Sequence, residues 1–470
     1  ERLTEIGRYA FYDTELTEVH FPSTIQSIGN SAFQQCTNLV TITFAENCDN
    51  LTLGTYVFVN TGISSITLPN GLKAISSTAF GSCKKLTSIT IPASVTEIGA
   101  SAFLSSGLTT ITFEEGSQLE IIAANAFSTT PLTSICIPQS TKTIGNNAFV
   151  NCKALTNVVF EGSDTETGAS LESIGSKAFS NCTALTSFAF PYCGKDEVGV
   201  YNKIKLGSGS TVNIFEGDKN LTTIYLSEAI DSIDNLFVKC PNLTSIVVAE
   251  HNENFKVSET QPIILNVNGT AIQFLFGRVD GVFTIPEGVT EIGTYAFSGQ
   301  TNITKVVIPS TMKTIGENAF ENCSSLKAVE FANGCVLDEI GKNVFLGCRS
   351  LETISLPDGI TVIPEGAFIG CASLSSIKLP ANLTEIQKNA FVWTSSLTTI
   401  EFPDSLVKLG EKVFKDSGIQ ELNITNATIE FTKNVFAEMH ALTTVTLPEG
   451  LTTTISYMFA NCTNLTTVNL

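Results

Sequence analysis

The side chains best suited to chemistry in this chain of 470 residues are its thirteen cysteines and three histidines. Many of the cysteines recur at one position of a repeated sequence pattern, and other copies of the pattern have serine or threonine there, as at Thr61 and Ser106. The position therefore takes a small, weakly polar side chain, and we expect its cysteines to be buried, reduced thiols. The odd total fits no complete disulfide framework, and the lack of a Cys-x-x-Cys pair argues against a zinc site. Nine cysteines lie three residues after a recurring phenylalanine: Cys36, Cys83, Cys152, Cys182, Cys240, Cys323, Cys348, Cys371 and Cys462.

Neither the histidines nor the acidic residues form a recognisable site. His20, His251 and His440 lie far apart in the chain, whereas a catalytic triad or a metal cluster would bring at least two of them together. The acidic segment 161–170 does not have the ligand spacing of a calcium loop, so a solvated loop is expected. The sequence therefore predicts no catalytic residue, no cofactor and no metal, and a protein that is not an enzyme.

Composition excludes several classes of protein. Lys and Arg number 26 against 45 Asp and Glu, which gives a net charge of −19 and no basic block for nucleic acid. No apolar run approaches the 18 residues of a membrane span. Hydrophobic residues make up 43% of the chain, which is enough for a long core and excludes wholesale disorder.

The dominant feature is an internal repeat, and its period predicts a stacked architecture. One phenylalanine recurs eighteen times, mostly at steps of 22 to 25 residues. The recurring residues are Phe11, Phe33, Phe58, Phe80, Phe103, Phe127, Phe149, Phe179, Phe215, Phe237, Phe297, Phe320, Phe345, Phe368, Phe391, Phe414, Phe436 and Phe459. We expect these rings to form one buried spine.

Each copy has the same internal pattern. In the clearest one, Leu86 is followed by Ile89 and Ile91, and this last spacing of two is the period of a β-strand. Ile98 belongs to a second apolar pair, and Gly99 after it suggests a corner with positive φ. A strand of about five residues cannot bury its apolar side alone, so about 20 coils must stack in parallel.

The phrase L-x-x-I-x-I-P-x-x-V-x-x-I-G-x-x-A-F-x-x-C resembles the BspA-like leucine-rich repeat of bacterial and trichomonad cell-surface proteins. The resemblance covers nearly the whole chain. It implies a mainly β repeat solenoid, a right-handed coil with a parallel β-sheet along one face. It also implies attachment to host matrix proteins, epithelium or other microbes.

Two interruptions break the repeat within what we predict to be a single solenoid over residues 1–470. They span residues 191–214 and 250–282. In the second, Asn268-Gly269 between apolar runs predicts one inserted β-hairpin, which we expect to lie beside the solenoid.

The two residues flanking the central apolar residue of each strand should point away from the core. Many are Ser or Thr, which keep an exposed sheet soluble, but several are larger and are predicted as partner contacts. These are His20, Tyr225, Lys305, Glu330, Lys378, Glu401 and Glu421.

Three functions fit this description. The leading one is a non-enzymatic, surface-exposed or secreted binding or adhesion protein for protein or glycan ligands of host or other microbes. The alternatives are a carbohydrate-binding module, with Tyr225 as its aromatic platform, and a structural spacer of a larger surface protein. We expect an extracellular or cell-surface monomer without nucleic-acid partners, and a processed piece of a longer protein, since the chain shows no signal peptide.

Overall fold

In a computed structural model the chain forms two compact units, Glu1–Phe255 and Lys256–Leu470. The structure describes residues 2–48, 50–207, 213–234, 236–237, 239–451 and 453–470. These residues contain 36 strands and no helix, and they wind into about twenty coils, as the repeat predicts. Within this described part, no helix has the length and hydrophobicity needed to cross a bilayer.

The first unit carries its longer strands on one face. Their central residues are buried and pair coil to coil, as Ile89 does with Ile111 and Ile135 with Val158. The predicted parallel apolar ladder is therefore confirmed. The long strands are Glu18–Phe21, Thr41–Phe44, Ser88–Ile91, Thr110–Phe113, Ser134–Ile137, Asn157–Phe160, Ser187–Ala189, Thr223–Leu226 and Ser245–Val248.

Two-residue strands form the second face of the same unit. All but Lys205–Leu206 end in a buried apolar residue, such as Ile98 or Ile122, and they pair in parallel with their neighbours. They are Glu5–Ile6, Ser27–Ile28, Thr52–Leu53, Ala74–Ile75, Glu97–Ile98, Ile121–Ile122, Thr143–Ile144, Ser173–Ile174 and Lys205–Leu206.

The second unit repeats this plan. Its long strands are Gly281–Thr284, Ile303–Ile308, Ala328–Phe331, Thr353–Ser355, Ser376–Lys378, Glu421–Asn423, Thr444–Thr446 and Thr467–Asn469. Its short strands are Glu291–Ile292, Thr314–Ile315, Glu339–Ile340, Val362–Ile363, Glu385–Ile386, Lys408–Leu409 and Glu430–Phe431. Three further strands precede them: Phe255–Val257, Ile263–Asn266 and Ala271–Leu275.

The recurring phenylalanines form stacked spines inside each unit. Phe80 and Phe103 lie 5.4 Å apart with ring planes 6° from parallel, and Phe368 and Phe391 lie 5.2 Å apart at 7°. Most of these rings are wholly buried, whereas Phe11 and Phe459, in the first and last coils, are partly exposed. The spine removes a large aromatic surface from water at every coil.

Most coils turn their corner around the spine residue by means of two left-handed residues. They lie two positions before and two after the phenylalanine, as Ser101 and Ser105 do around Phe103, both with φ 58° or close to it. This conformation aims three N–H groups along the stack. Ser101, Phe103 and Ser105 each donate to a carbonyl of the next coil at 2.8–2.9 Å.

The glycine that follows the short strand has a different role from the one predicted. Gly99 and Gly316 do not have positive φ. A Cβ on Gly99 would instead lie 2.8 Å from the Ile75 carbonyl oxygen and the Ser77 nitrogen of the preceding coil. Glycine is needed because neighbouring backbones approach closely at this point.

The inserted hairpin is confirmed, but its expected position is wrong. Ile263–Asn266 and Ala271–Leu275 pair antiparallel, and Gly269 has φ 77° in the turn. Rather than lying beside the coils, the strand Ala271–Leu275 pairs in parallel with Glu291–Ile292. Burial gives the reason, because Ile272 is fully buried in the core of the second unit.

The other interruption contributes to the stack as well. Its strand Lys205–Leu206 pairs in parallel with Ser173–Ile174. Residues 208–212 of the interruption lie outside the described residues. A single solenoid with insertions at 191–214 and 250–282 stays a prediction.

Candidate binding surface

The long-strand faces present two rows of outward side chains. One row holds the residue before the central buried residue of each strand, and we call it the leading row. The other holds the residue after it, and we call it the trailing row. In Ser88–Ile91 these are Ser88 and Thr90, both exposed around the buried Ile89.

In the first unit, the trailing row becomes apolar over five successive long strands. We call Cys136, Val159, Ala189, Tyr225 and Val247 the apolar stripe. Register places Cys136 beside Val159, and Tyr225 between Ala189 and Val247. Val159, Tyr225 and Val247 remain 44%, 46% and 45% exposed. Contiguous apolar surface of this kind is what binding sites present.

The leading row beside the apolar stripe is polar but uncharged. It consists of Ser134, Asn157, Ser187, Thr223 and Ser245. Glu161 places a negative charge near this face. Partial burial and the Glu161 carboxylate together raise the pKa of the Cys136 thiol. Five strands of an acidic chain thus offer a face without charged outward residues in either row.

A rigid loop follows the strand Ser187–Ala189 at its exit end. Asp196 accepts hydrogen bonds from the backbone N–H groups of Val198 and Val200, at 3.0 and 2.8 Å. Lys195 lies over the Tyr201 ring with its Nζ 4.3 Å from the centroid. These contacts hold Val198 at the loop tip with 83% of its surface exposed.

His20 lies in the trailing row of the first unit. Its Nδ1 shares a hydrogen bond of 2.6 Å with Thr43 Oγ1, and its Nε2 lies 3.8 Å from a Glu18 oxygen. The ring is therefore oriented by neighbours on the same face.

In the second unit, two predicted contact residues line a groove of about 730 Å³, and a third forms an ion pair with one of them. Lys305 pairs with Glu330 at 2.5 Å. Register places Lys378 beside Ser355, and both Glu330 and Lys378 line the groove. Lys378 has no ion-pair partner among the described residues. The loop Ala332–Cys335, which follows a strand-terminal phenylalanine, forms part of the lining.

The last two predicted contact residues are exposed but lie apart from the groove lining. Glu421 opens the strand Glu421–Asn423 and pairs in register with Thr444. Glu401 is exposed next to Ile400, where no strand is formed. The seven predicted residues are thus divided between the two units, and only Lys305, Glu330 and Lys378 cluster.

The nine thiols that follow a spine phenylalanine belong to the interior and not to this surface. Each of the nine cysteines after a spine phenylalanine donates to the carbonyl oxygen of the preceding spine phenylalanine, over 2.9–3.4 Å. All thirteen are free, and all nine of these are buried. Burial raises the pKa of Cys152 to about 11, so it stays a thiol. We call this position the thiol slot.

Comparison with known families accounts for the repeat. A model of the BspA type leucine-rich repeat region, with six copies of the repeat, matches residues 4–120, 120–259, 281–395 and 362–470. The chain belongs to the BspA-type leucine-rich repeat family. A search of curated proteins finds no match to this BspA-type chain.

Solved structures similar to this BspA-type protein come from several bacteria. A leucine-rich repeat protein of Bacteroides ovatus is 22% identical, with 99% of this chain and 87% of that one covered and a TM-score of 0.36. The pneumococcal vaccine antigen PcpA is 21% identical, with 73% and 78% covered and a TM-score of 0.42. A leucine-rich cell surface protein of Faecalibacterium prausnitzii is 23% identical, with 80% and 83% covered and a TM-score of 0.35.

Sequence analysis of this BspA-type chain identified Tyr225 but not the rest of the apolar stripe. A signal exists, since five successive long strands contain two adjacent apolar residues, as in Val158-Val159 and Ile246-Val247. Because strand side chains alternate, one of each pair must face outward. Within the described residues, no group of three or more His, Cys, Asp or Glu side chains is arranged to hold a metal ion.

Proposed function

We propose that this BspA-type protein is a surface-exposed or secreted, non-enzymatic binding protein that contacts host or microbial macromolecules through its long-strand faces. The observation that carries the proposal is the apolar stripe around Tyr225. A half-exposed aromatic ring among uncharged neighbours, in a chain of net charge −19, marks a surface suited to partner contact.

The chemistry of the apolar stripe favours a protein surface with aliphatic or aromatic side chains. Ala189 and Val247 lie in register on either side of Tyr225 and extend its hydrophobic area, which offers a charged partner no opposite charge. The polar leading row supplies hydroxyl and amide groups for hydrogen bonds at the rim.

A glycan ligand is the second candidate, and one observation favours it. Tyr225 presents an aromatic ring on a face that has few other long side chains. Thr223 and Ser245 lie beside it, and their hydroxyl groups can form hydrogen bonds with a ligand. A saccharide ring could stack on Tyr225 while its hydroxyls meet the leading row.

The test is a parallel screen of immobilised host matrix proteins and a glycan array with the purified chain. We expect saturable retention on at least one protein, and we expect Tyr225→Ala to weaken it at least about tenfold, the size of a strong contact residue. Trp393→Ala is the matched control, because Trp393 is 56% exposed but lies at a coil corner.

The outcomes separate the candidates. Retention on proteins that Tyr225→Ala leaves unchanged would refute the apolar stripe as the contact. Retention on glycans alone would favour the carbohydrate-binding alternative. Uniform lack of retention would favour the spacer.

The groove in the second unit is proposed as a further contact area of the same protein. Lys378, which makes no ion pair among the described residues, lines this groove together with Glu330, the partner of Lys305. Glu401 and Glu421, exposed beyond it, and His20 in the first unit remain proposed contacts as well. We also propose that the protein is a monomer that does not bind nucleic acid.

A further inference from the structure

One coil of the first unit has an acid where the others have a thiol or a hydroxyl. Three residues after Phe215, the thiol slot holds Asp218. Its side chain is fully buried, and within the described part of the chain neither carboxyl oxygen makes a well-formed hydrogen bond. A buried carboxylate without a donor is costly, because it loses its hydration and gains nothing in return.

The residues around Asp218 do not offset a charge. Cys182 of the preceding coil and Cys240 of the following coil occupy the same slot, and burial raises the pKa of both thiols, with the charge of Asp218 adding to the effect. Both are neutral, so they neither attract nor repel strongly. Burial also raises the pKa of Asp218 to about 8, against a smaller opposing influence of the Cys182 backbone N–H.

No cation near Asp218 in the chain forms an ion pair with it among the described residues. The Glu216 carboxylate forms ion pairs with Lys239 Nζ at 2.5 Å and Lys177 Nζ at 2.9 Å, and these two interactions lower the pKa of the Glu216 carboxyl. Lys219, beside Asp218 in sequence, is exposed and makes no ion pair within the described part of the chain. Neutralisation of Asp218 must therefore come from a proton.

The thiol slot indicates where that proton is used. Cys182 donates to the Phe149 carbonyl at 3.2 Å, and Cys240 donates to the Phe215 carbonyl at 3.4 Å. By the same step of one coil, the carbonyl equivalent to these for Asp218 is that of Phe179. A carboxylic acid can donate to a carbonyl as a thiol does, whereas a carboxylate cannot.

We propose that Asp218 is a neutral carboxylic acid in the folded protein, that it takes the place of the thiol as donor toward the Phe179 carbonyl, and that its ionisation loosens this coil. The same coil continues into the strand Thr223–Leu226. The coil of Asp218 therefore responds locally to alkaline pH, whereas coils with a thiol in this position do not.

The direction of the effect follows from linkage. In the unfolded chain Asp218 ionises near pH 4, whereas in the folded chain it holds its proton up to about pH 8. Its stabilising contribution is complete below about pH 4 and is lost as pH rises from there to about 8. Over most of that range the unfolding constant should rise by about tenfold per pH unit from this group alone.

The experiment compares the full chain with Asp218→Cys, which restores the common slot residue, and with Asp218→Asn. Denaturant unfolding is measured from pH 5 to pH 9, and amide exchange is followed in Thr223–Leu226. We expect the native chain to lose stability relative to Asp218→Cys as pH rises, and its strand to exchange faster than the variant's at pH 8 to 9.

An infrared difference spectrum supplies a second measurement on the folded state. A carboxylic acid band should be present in the native chain at pH 7, absent in Asp218→Asn, and lost at alkaline pH. Parallel stability profiles for the native chain and Asp218→Cys would overturn the proposal, as would the lack of that band at pH 7. If Asp218→Cys does not fold, the same comparison is made with Asp218→Asn.

Discussion

The thiol slot shows how one side chain can serve the backbone of a neighbouring coil. Its cysteines reach carbonyl oxygens of the preceding coil, as Cys348 does toward Phe320 at 3.1 Å, and this oxygen also accepts the backbone N–H of Cys323. Threonine fills the slot differently, since Thr130 donates at 2.8 Å to Phe127 of its own coil. The hydroxyl of buried Ser106 has no hydrogen-bond partner among the residues that the structure describes. Cysteine is thus preferred because its thiol is small and still reaches the carbonyl oxygen of the preceding coil.

Cys136 differs from the slot cysteines because it lies in the trailing row and is exposed. We expect a maleimide added to the native protein to modify Cys136 first, followed slowly by the half-buried Cys335. The nine slot thiols should react only on unfolding, because they are buried and protonated. Mass spectrometry of peptides after timed labelling measures this, with Cys136→Ser as the control. Early labelling of Cys348 in native protein would contradict it.

At the scale of the coil, close stacking depends on the glycine after the short strand. A Cβ added to Gly316 would lie 2.7 Å from the Thr294 nitrogen and 2.8 Å from the Gly293 carbonyl carbon. The backbone cannot yield as a flexible side chain would. We expect Gly316→Ala to lower the free energy of unfolding by about 1–3 kcal/mol.

Gly7 provides the control for this prediction. It follows the short strand Glu5–Ile6 in the same way, but a Cβ there would meet nothing within 4 Å. Gly7→Ala should therefore leave stability unchanged or raise it slightly. Denaturant unfolding of both variants measures the difference, and equal losses would show that close backbone approach is not the cause.

Over the whole molecule, much of the fold was predictable because the repeat averages over many copies. The strand centred on Ile89 and the burial of Phe103 follow from periods of two residues and of one coil. The role of Gly99 was not predictable in the same way. A turn and a close backbone approach both select glycine, and only coordinates distinguish them.

The candidate surface was less accessible to sequence analysis for a related reason. Ala189 and Tyr225 are neighbours on one sheet although they are 36 residues apart, because the interruption between them is accommodated outside the strand. Asp218 was likewise missed, since its position relative to Phe215 looked like one more variation in a tolerant slot.

The free state of all thirteen cysteines leads to a prediction for the molecule as a whole. The slot thiols donate hydrogen bonds to backbone carbonyl oxygens, and none of the thirteen cysteines forms a disulfide that would support the fold. We expect the denaturant midpoint to be the same with and without a reducing agent. Cys136→Ser removes the one fully exposed thiol and controls for linkage between molecules. A lower midpoint in reductant would contradict the prediction.

The corner hydrogen bonds have a consequence for how such chains change length. Two successive corners donate the same three backbone hydrogen bonds to the coil that follows each of them. The donors are the N–H groups of Thr78, Phe80 and Ser82 in one corner and of Ser101, Phe103 and Ser105 in the next. Coils with this corner therefore present the same backbone edge to their neighbours. We expect duplication or loss of one such winding to create no new type of junction, so that a gene can lengthen or shorten its product one unit at a time.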